Sequence, residues 1–232
     1  MQRFVDRHDA GRLLAREVAR QLSAWREVPP PVVLALPRGG VPVGAELARA
    51  LGAPLDVMVV RKLGVPGHEE LAMGAIASGG LRVVNADVLA RLGIPDSMVD
   101  RVEAAERHEL QRREAIYRRG RPFPALDGRM AFLVDDGIAT GATMEVAVEA
   151  ARRARASKVL VAVPVAPRPI AEHLAGLADG CICVHVPPDL GGVSEWYDDF
   201  RQTSDHEVSE LLTAAAHHDG GRIDRVLPTD AR

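Results

Sequence analysis

The chain is short of cysteine, of aromatic rings, of long apolar runs and of surplus positive charge, and each shortage excludes something. Two cysteines, Cys181 and Cys183, occur in 232 residues. Sitting two apart on an apparent strand, they are too close to form a disulfide framework, and a reducing cytoplasmic setting is expected. No apolar run reaches the roughly 20 residues that cross a bilayer, so no membrane partner is expected. The N-terminal stretch is broken by Arg3, Asp6, Arg7, Asp9, Arg12, Arg16 and Glu17 and has no signal-peptide core. Lys and Arg total 29 against 32 Asp and Glu, a formal charge of −3, and no segment has the form of a DNA-reading helix. No nucleic acid partner is expected. Aromatic residues make up 3%, so any place where they gather is informative. What is present, 47% hydrophobic and 26% charged residues without repeats or low-complexity tracts, describes a globular chain long enough for one well-buried domain.

Short, continuously apolar runs alternate with amphipathic stretches. Leu14, Val18 and Leu22 predict a helix from about Asp9 to Trp25, ended by Pro29-Pro30-Pro31. Val32 to Leu36 and Leu55 to Val60 read as strands buried on both faces, with a helix from about Val43 to Ala50 between them. Gly64 to Met73 is rich in loop formers, and Ala72 to Ala77 with Leu81 to Val84 predicts a hairpin around Ser78-Gly79-Gly80. Residues 87–120 have a charged, helical texture and read as an insertion, with Met98, Val102, Ala105, Leu110 and Ile116 as its apolar side. Further strands at Lys158 to Val163 and Cys181 to Val186 flank a helix at Arg168 to Leu177, and Ser204 to Ala216 predicts a terminal helix. Such alternation implies an α/β fold: an open, mainly parallel twisted sheet with helices on both faces. One domain over residues 1–216 is expected, with 187–216 as a C-terminal hood and helix and 217–232 as a flexible tail.

The most informative segment is Phe132-Leu133-Val134-Asp135-Asp136-Gly137-Ile138-Ala139-Thr140-Gly141-Ala142-Thr143-Met144. It reads as the end of a central strand, two carboxylates, a small-residue loop and a helix start. Unpaired N-H groups and the helix dipole favour a phosphate there, and glycines let the backbone approach it. Two carboxylates would repel phosphate, so they make sense facing sugar hydroxyls, which donate hydrogen bonds to them. A strand-to-helix turn with capping acids is the plainer alternative, but capping needs only one acid. No Lys-Ser or Lys-Thr pair follows the glycines as a P-loop requires, and the spacing does not match the dinucleotide fingerprint.

This segment resembles the phosphoribosyl pyrophosphate (PRPP) signature of type I phosphoribosyltransferases, two acids followed by a loop ending in Thr-Gly-x-Thr. The resemblance implies that family's Rossmann-like core with a C-terminal helix. It gives Asp135 and Asp136 the ribose hydroxyls and gives Gly137, Ile138, Ala139, Thr140, Gly141, Ala142 and Thr143 the 5′-phosphate. In the family's fold the first strand lies beside the signature strand, so Pro37-Arg38-Gly39-Gly40 would face the two acids. That loop resembles the family's pyrophosphate loop, which is often held with a cis non-proline peptide. Arg61-Lys62, after the second strand, is similar to a basic pair in adenine-type and orotate-type members whose lysine reaches pyrophosphate. The loop that follows matches the family's mobile flap.

Catalytic roles are accordingly expected for Arg38, Lys62 and, as an acid or base on the flap, Glu70. Mg²⁺ is implied as cofactor, held by Asp135 and Asp136 through water or sugar hydroxyls. PRPP, pyrophosphate and a small-molecule acceptor are the expected partners, and a homo-oligomer is left open. Ala139 stands where 6-oxopurine enzymes of the family usually carry an aspartate, which argues against that acceptor class. Trp196 and Tyr197, in an aromatic cluster after the last strand, either cover the acceptor as a hood or pack the terminal helix onto the sheet. Cys181, Cys183 and His185 share a strand face, which would suit a metal only if a further ligand were near. A PRPP-binding regulator without turnover is the alternative to an enzyme, and phosphorolysis or hydrolysis of a ribosyl phosphate is a third reading.

Overall fold

The computed structural model describes residues 3–218; most of the expected tail, 219–232, lies outside the described residues. Helix α1 (Arg7–Leu22) leads into strand β1 (Pro31–Ala35), helix α2 (Gly40–Leu51) and strand β2 (Leu55–Val57). Strands β3 (Val60–Val65), β4 (His68–Ala77) and β5 (Leu81–Val84) follow, then helices α3 (Ala86–Leu92) and α4 (Asp96–Arg118). The chain continues through β6 (Met130–Val134), α5 (Ala142–Arg153), β7 (Lys158–Val165), α6 (Arg168–Leu177), β8 (Cys181–His185), a 3₁₀ turn (Val193–Trp196) and α7 (Asp205–His218).

Five strands form one sheet in the order β2-β1-β6-β7-β8, with every neighbouring pair parallel. The chain builds outward from β1 to β2, leaves the sheet, and returns on the other side of β1 as β6. That reversal opens a crevice beyond the carboxyl ends of β1 and β6, the place where open parallel sheets bind ligands. Alternation along the strands divides the core. Val33, Ala35, Phe132 and Val134 pack with α1, α2 and α7, while Val32, Leu34, Ala131 and Leu133 pack with α5 and α6. All eight are fully buried, which is why the sequence shows apolar runs rather than alternation.

The expected second strand, Leu55 to Val60, is two strands in different sheets. β2 ends at Val57, and β3 begins a separate antiparallel sheet, β3-β4-β5. Arg118 from α4 sits at the break: its Nη2 donates to the Val57 carbonyl at 2.6 Å, and its Nε to Asp56 Oδ1 at 2.8 Å. Ser78 completes the crossover, its Oγ accepting from Val59 N at 3.0 Å and its N-H donating to Val59 O at 2.9 Å. Both halves of the apolar run are buried, so hydrophobicity alone does not mark the change of sheet.

The expected loop over Gly64 to Met73 is largely strand as well. β3 and β4 form a hairpin that turns at Pro66-Gly67, with pairing irregular around Gly64. The β4-β5 hairpin lies where the sequence predicts it. Helix α4 buries Val99, Glu103, Leu110, Tyr117 and Arg118, whereas Ala105 and Ile116 are exposed. Its buried face thus differs from the predicted one: Arg118 pairs with the buried Asp56, and Glu103 is covered while pairing with the half-exposed Arg82 and Arg107.

Candidate functional site at the carboxyl edge of the parallel sheet

Two loops meet where β1 and β6 end. After β1 the peptide between Pro37 and Arg38 is cis. Leu36 N donates to Val134 O at 2.8 Å and Gly40 N to Leu36 O at 3.0 Å, tying this loop to the end of β6. A Cβ on Gly39 would stand 2.0 Å from Asp136 Oδ2, and one on Gly40 would stand 2.6 Å from Val134 O. Only glycine lets the loop lie this close to the two acids.

Asp135 and Asp136 follow β6, with the Asp136 N-H donating to Asp135 Oδ1 at 2.8 Å. Burial, and then the neighbouring Asp136 charge, push the Asp135 carboxyl well above the usual carboxylate range. Burial also raises Asp136, opposed by Arg7. Arg7 Nε donates to Asp136 Oδ2 at 2.7 Å, with the two side chains 10% and 14% exposed. Tyr197 adds a hydrogen bond from its hydroxyl to the Asp136 carbonyl.

Beyond the acids the loop runs to Gly141, which adopts φ 86° at the start of α5. No side chain caps this helix, so its first N-H groups are open to an anion. Ala139, Thr140, Ala142 and Thr143 are exposed around that opening. Ile138 is not part of it. Its side chain is buried and its N-H donates to Val165 O at 2.9 Å, so it anchors the loop to β7.

The basic residues are divided. Arg38 Nη1 lies 3.9 Å from Asp205 Oδ1, an oxygen that also accepts from Tyr117 OH at 2.7 Å. Arg61 and Lys62 leave β3 on opposite sides. Arg61 pairs with Glu106 of α4, its Nη2 lying 2.6 Å from Oε2. Lys62 extends the other way, with Nζ 3.8 Å from Glu70 Oε2 on the fully exposed tip of the hairpin. Glu70 therefore stands beside Lys62 rather than beside the acid pair.

Tyr197 does not offer a face to an acceptor. It is 1% exposed, with its ring 5.2 Å from that of Phe4 and 5.0 Å from that of Phe200. Trp196 is half-buried, with its ring 5.3 Å from the His185 ring. Tyr197 is a packing residue, but it packs with Phe4 and Ala10 of the N-terminal segment and with Phe200 rather than seating the terminal helix on the sheet. Cys181 and Cys183 bring their Sγ atoms to 3.7 Å. Among the described residues no group of three or more His, Cys, Asp or Glu could hold a metal, so the strand-face metal idea finds no further ligand. No described helix is long and apolar enough to cross a membrane.

The sequence reading passes over Arg7, Tyr117 and Asp205. Only Arg7 carries a local signal: a positive charge at the start of a helix opposes the dipole, so its position needs another explanation.

A family model described as phosphoribosyl transferase domain matches residues 5–185. Two Mycobacterium tuberculosis proteins, from strains CDC 1551 and H37Rv, carry provisional phosphoribosyl transferase names. Each is 49% identical over 227 residues, 97% of this chain and 50% of its own length. The chain thus spans about half the length of the curated relatives it matches. The crystal structure of TT1426 from Thermus thermophilus superposes with a TM-score of 0.81 at 42% identity, covering 92% of this chain and 99% of that one. The acid pair, the glycine loop against it and the uncapped helix all lie within or beside the matched region, and this chain belongs to the phosphoribosyl transferase domain family.

Proposed function

We propose that this chain is a Mg²⁺-dependent phosphoribosyltransferase that moves phosphoribosyl from PRPP to a nitrogenous acceptor and releases pyrophosphate. The observation that carries this reading is the contact of Gly39 and Gly40 with Asp136, Asp135 and the end of β6. It sets the Pro37 to Gly40 loop beside the two acids at the crevice where the strand order reverses, which supports reading the loop as the pyrophosphate seat and the acids as the ribose pair.

In this reading Asp135 and the outer oxygen of Asp136 accept hydrogen bonds from the ribose hydroxyls. The loop from Gly137 to Thr143, excepting Ile138, takes the 5′-phosphate at the start of α5. Departure of pyrophosphate builds positive charge on the sugar ring and negative charge on the leaving group. The acids oppose the first, and Arg38 with the N-H groups of its loop opposes the second. Lys62, on the β3-β4 hairpin, joins Arg38 when the hairpin tip lies over the site, exchanging its exposed contact with Glu70 for the leaving group. The same cover would exclude water from the activated sugar.

Two hard carboxylate oxygens suit Mg²⁺, which takes few protein ligands and completes its shell with water and substrate phosphates. When bound with PRPP it would supply countercharge for pyrophosphate. Ala139 leaves the loop without a carboxylate for a 6-oxopurine ring nitrogen, so another nucleobase-like acceptor is favoured, with Trp196 at the edge of its space.

Incubation with PRPP, Mg²⁺ and a panel of nitrogenous bases, following pyrophosphate release, tests the reading. Release that depends on one acceptor supports it. PRPP binding without release for any acceptor would favour a PRPP-responsive regulator.

A further inference from the structure

Arg7 is 129 residues from Asp136 in the chain and in direct contact with it. It opens α1, where the helix dipole disfavours a cation, so local helix energetics do not account for it. Three contacts hold its guanidinium. Nε donates to Asp136 Oδ2, Nη1 donates to the Arg201 carbonyl at 2.6 Å, and the guanidinium carbon lies 3.9 Å from the Phe200 ring centroid. Tyr197, from the same C-terminal segment, holds the main chain of Asp136 through its carbonyl. Asp136 is therefore clamped at side chain and backbone by segments from both ends of the described chain.

We propose that Arg7 is a positioning residue for ribose recognition. Stacked on Phe200 and anchored to Arg201, it fixes the Asp136 carboxylate against Gly39, so that Oδ2 is engaged and Oδ1 is presented to a sugar hydroxyl. A planar, forked cation suits this task because it stacks and donates in two directions, which an ammonium does not. The C-terminal segment thereby acts on the PRPP site through Arg7, without touching the ligand. This inference rests on the assignment of Asp135 and Asp136 to the ribose.

Arg7 lines a cavity of about 300 Å³, shared with Asp6, His8, Thr203 and Glu207. Truncation of Arg7 would open Asp136 to that cavity, and a free guanidinium ion could then enter. This makes chemical rescue a specific readout.

The test is calorimetric binding of PRPP with Mg²⁺ to the whole chain and its variants. Arg7→Gln is expected to weaken binding by about tenfold or more, as loss of a charged hydrogen bond does. Adding it to Asp136→Asn should cost little further, since both remove one unit. Arg7→Lys should recover part of the affinity, and Arg7→Ala should regain affinity in millimolar guanidinium. Parent-like binding by Arg7→Gln, or full additivity with Asp136→Asn, would overturn the proposal. Should Arg7→Gln not fold, Phe200→Leu decides: weakening of about threefold or more supports the clamp, and unchanged affinity overturns it. Absence of PRPP binding by the parent chain would instead overturn the site assignment on which the inference rests.

Discussion

Gly39 lies so close to Asp136 that a Cβ added to it would stand 2.0 Å from the carboxylate oxygen Oδ2. The contact joins the loop after β1 to the acid pair after β6, and it leaves no room for the smallest side chain. Gly39→Ala is expected to displace Asp136 or the loop, weakening PRPP binding by at least about tenfold while costing about 1–3 kcal/mol of stability by overpacking. Calorimetry and denaturant unfolding on the same preparation separate the two effects. Parent-like binding would show that the loop and the acid do not need their present spacing.

Asp135 offers a case in which stability and ligand binding move in opposite directions. Its carboxyl is pushed well above the ordinary range by burial and by Asp136. A raised carboxyl means the folded state binds the proton more tightly than the unfolded state. The Asp135 contribution to stability is then greatest with the carboxyl protonated, and it is lost as pH rises through the folded-state pKa. Asp135→Asn should raise the melting temperature at neutral pH and weaken PRPP binding by roughly 10- to 100-fold. Melting curves from acid to neutral pH should converge for parent and variant at the acid end, unless other groups unfold the chain first.

Arg118 joins three parts of the fold through Asp56, Val57 O, Ser78 and Glu114. Its side chain is 5% exposed and that of Asp56 is 10% exposed. Arg118→Ala strands a buried carboxylate and should cost about 3–5 kcal/mol in urea unfolding. Replacing both partners with apolar residues should cost distinctly less. Equal costs for the single and double replacements would show that the ion pair is not the source of the effect.

Lys62 and Glu70 form an exposed pair on the hairpin, with Glu70 fully open to solvent. Such pairs add little to stability, so Lys62→Ala should stay within about 0.5 kcal/mol of the parent. Pyrophosphate release should fall strongly in the same variant, whereas Glu70→Gln should leave both quantities near parent values. A Lys62→Ala chain that keeps full turnover would remove Lys62 from the leaving-group site.

Trp196 and Tyr197 are adjacent in sequence and differ in burial. Trp196→Ala should weaken acceptor use with PRPP affinity unchanged. Tyr197→Phe should act on PRPP, because the lost hydroxyl holds the Asp136 carbonyl. A few-fold loss of PRPP affinity is the expected size for one hydrogen bond, at about 0.5–1.5 kcal/mol. Equal effects of both substitutions on PRPP and acceptor would mean that the two rings act only as packing.

The signature segment was legible because its parts are contiguous. Val134, Asp135, Asp136 and the loop to Thr143 follow one another, and a buried strand feeding a helix through small residues leaves a pattern that needs no tertiary context. The parallel sheet was legible for a similar reason, since strands such as Val32 to Ala35 and Ala131 to Val134 are apolar on both faces. The division of Leu55 to Val60 was not, because Arg118 reaches Val57 from 61 residues further along the chain and both sides of the break are apolar. Arg61 and Lys62 look alike in a sequence, yet neighbours on a strand point to opposite faces, and only the antiparallel sheet sends one to Glu106 and the other to Glu70.

Local order by itself determined that two acids precede a phosphate-sized loop at a helix start. The fold alone decided what holds those acids. Side-by-side parallel strands carry the start of α1 and the segment after β8 to the same sheet edge. That places the Arg7 guanidinium and the Tyr197 hydroxyl on Asp136 across 129 and 61 residues of chain. No local pattern records such a contact, because a hydrogen bond depends on a distance in space and the sequence orders residues only along the chain.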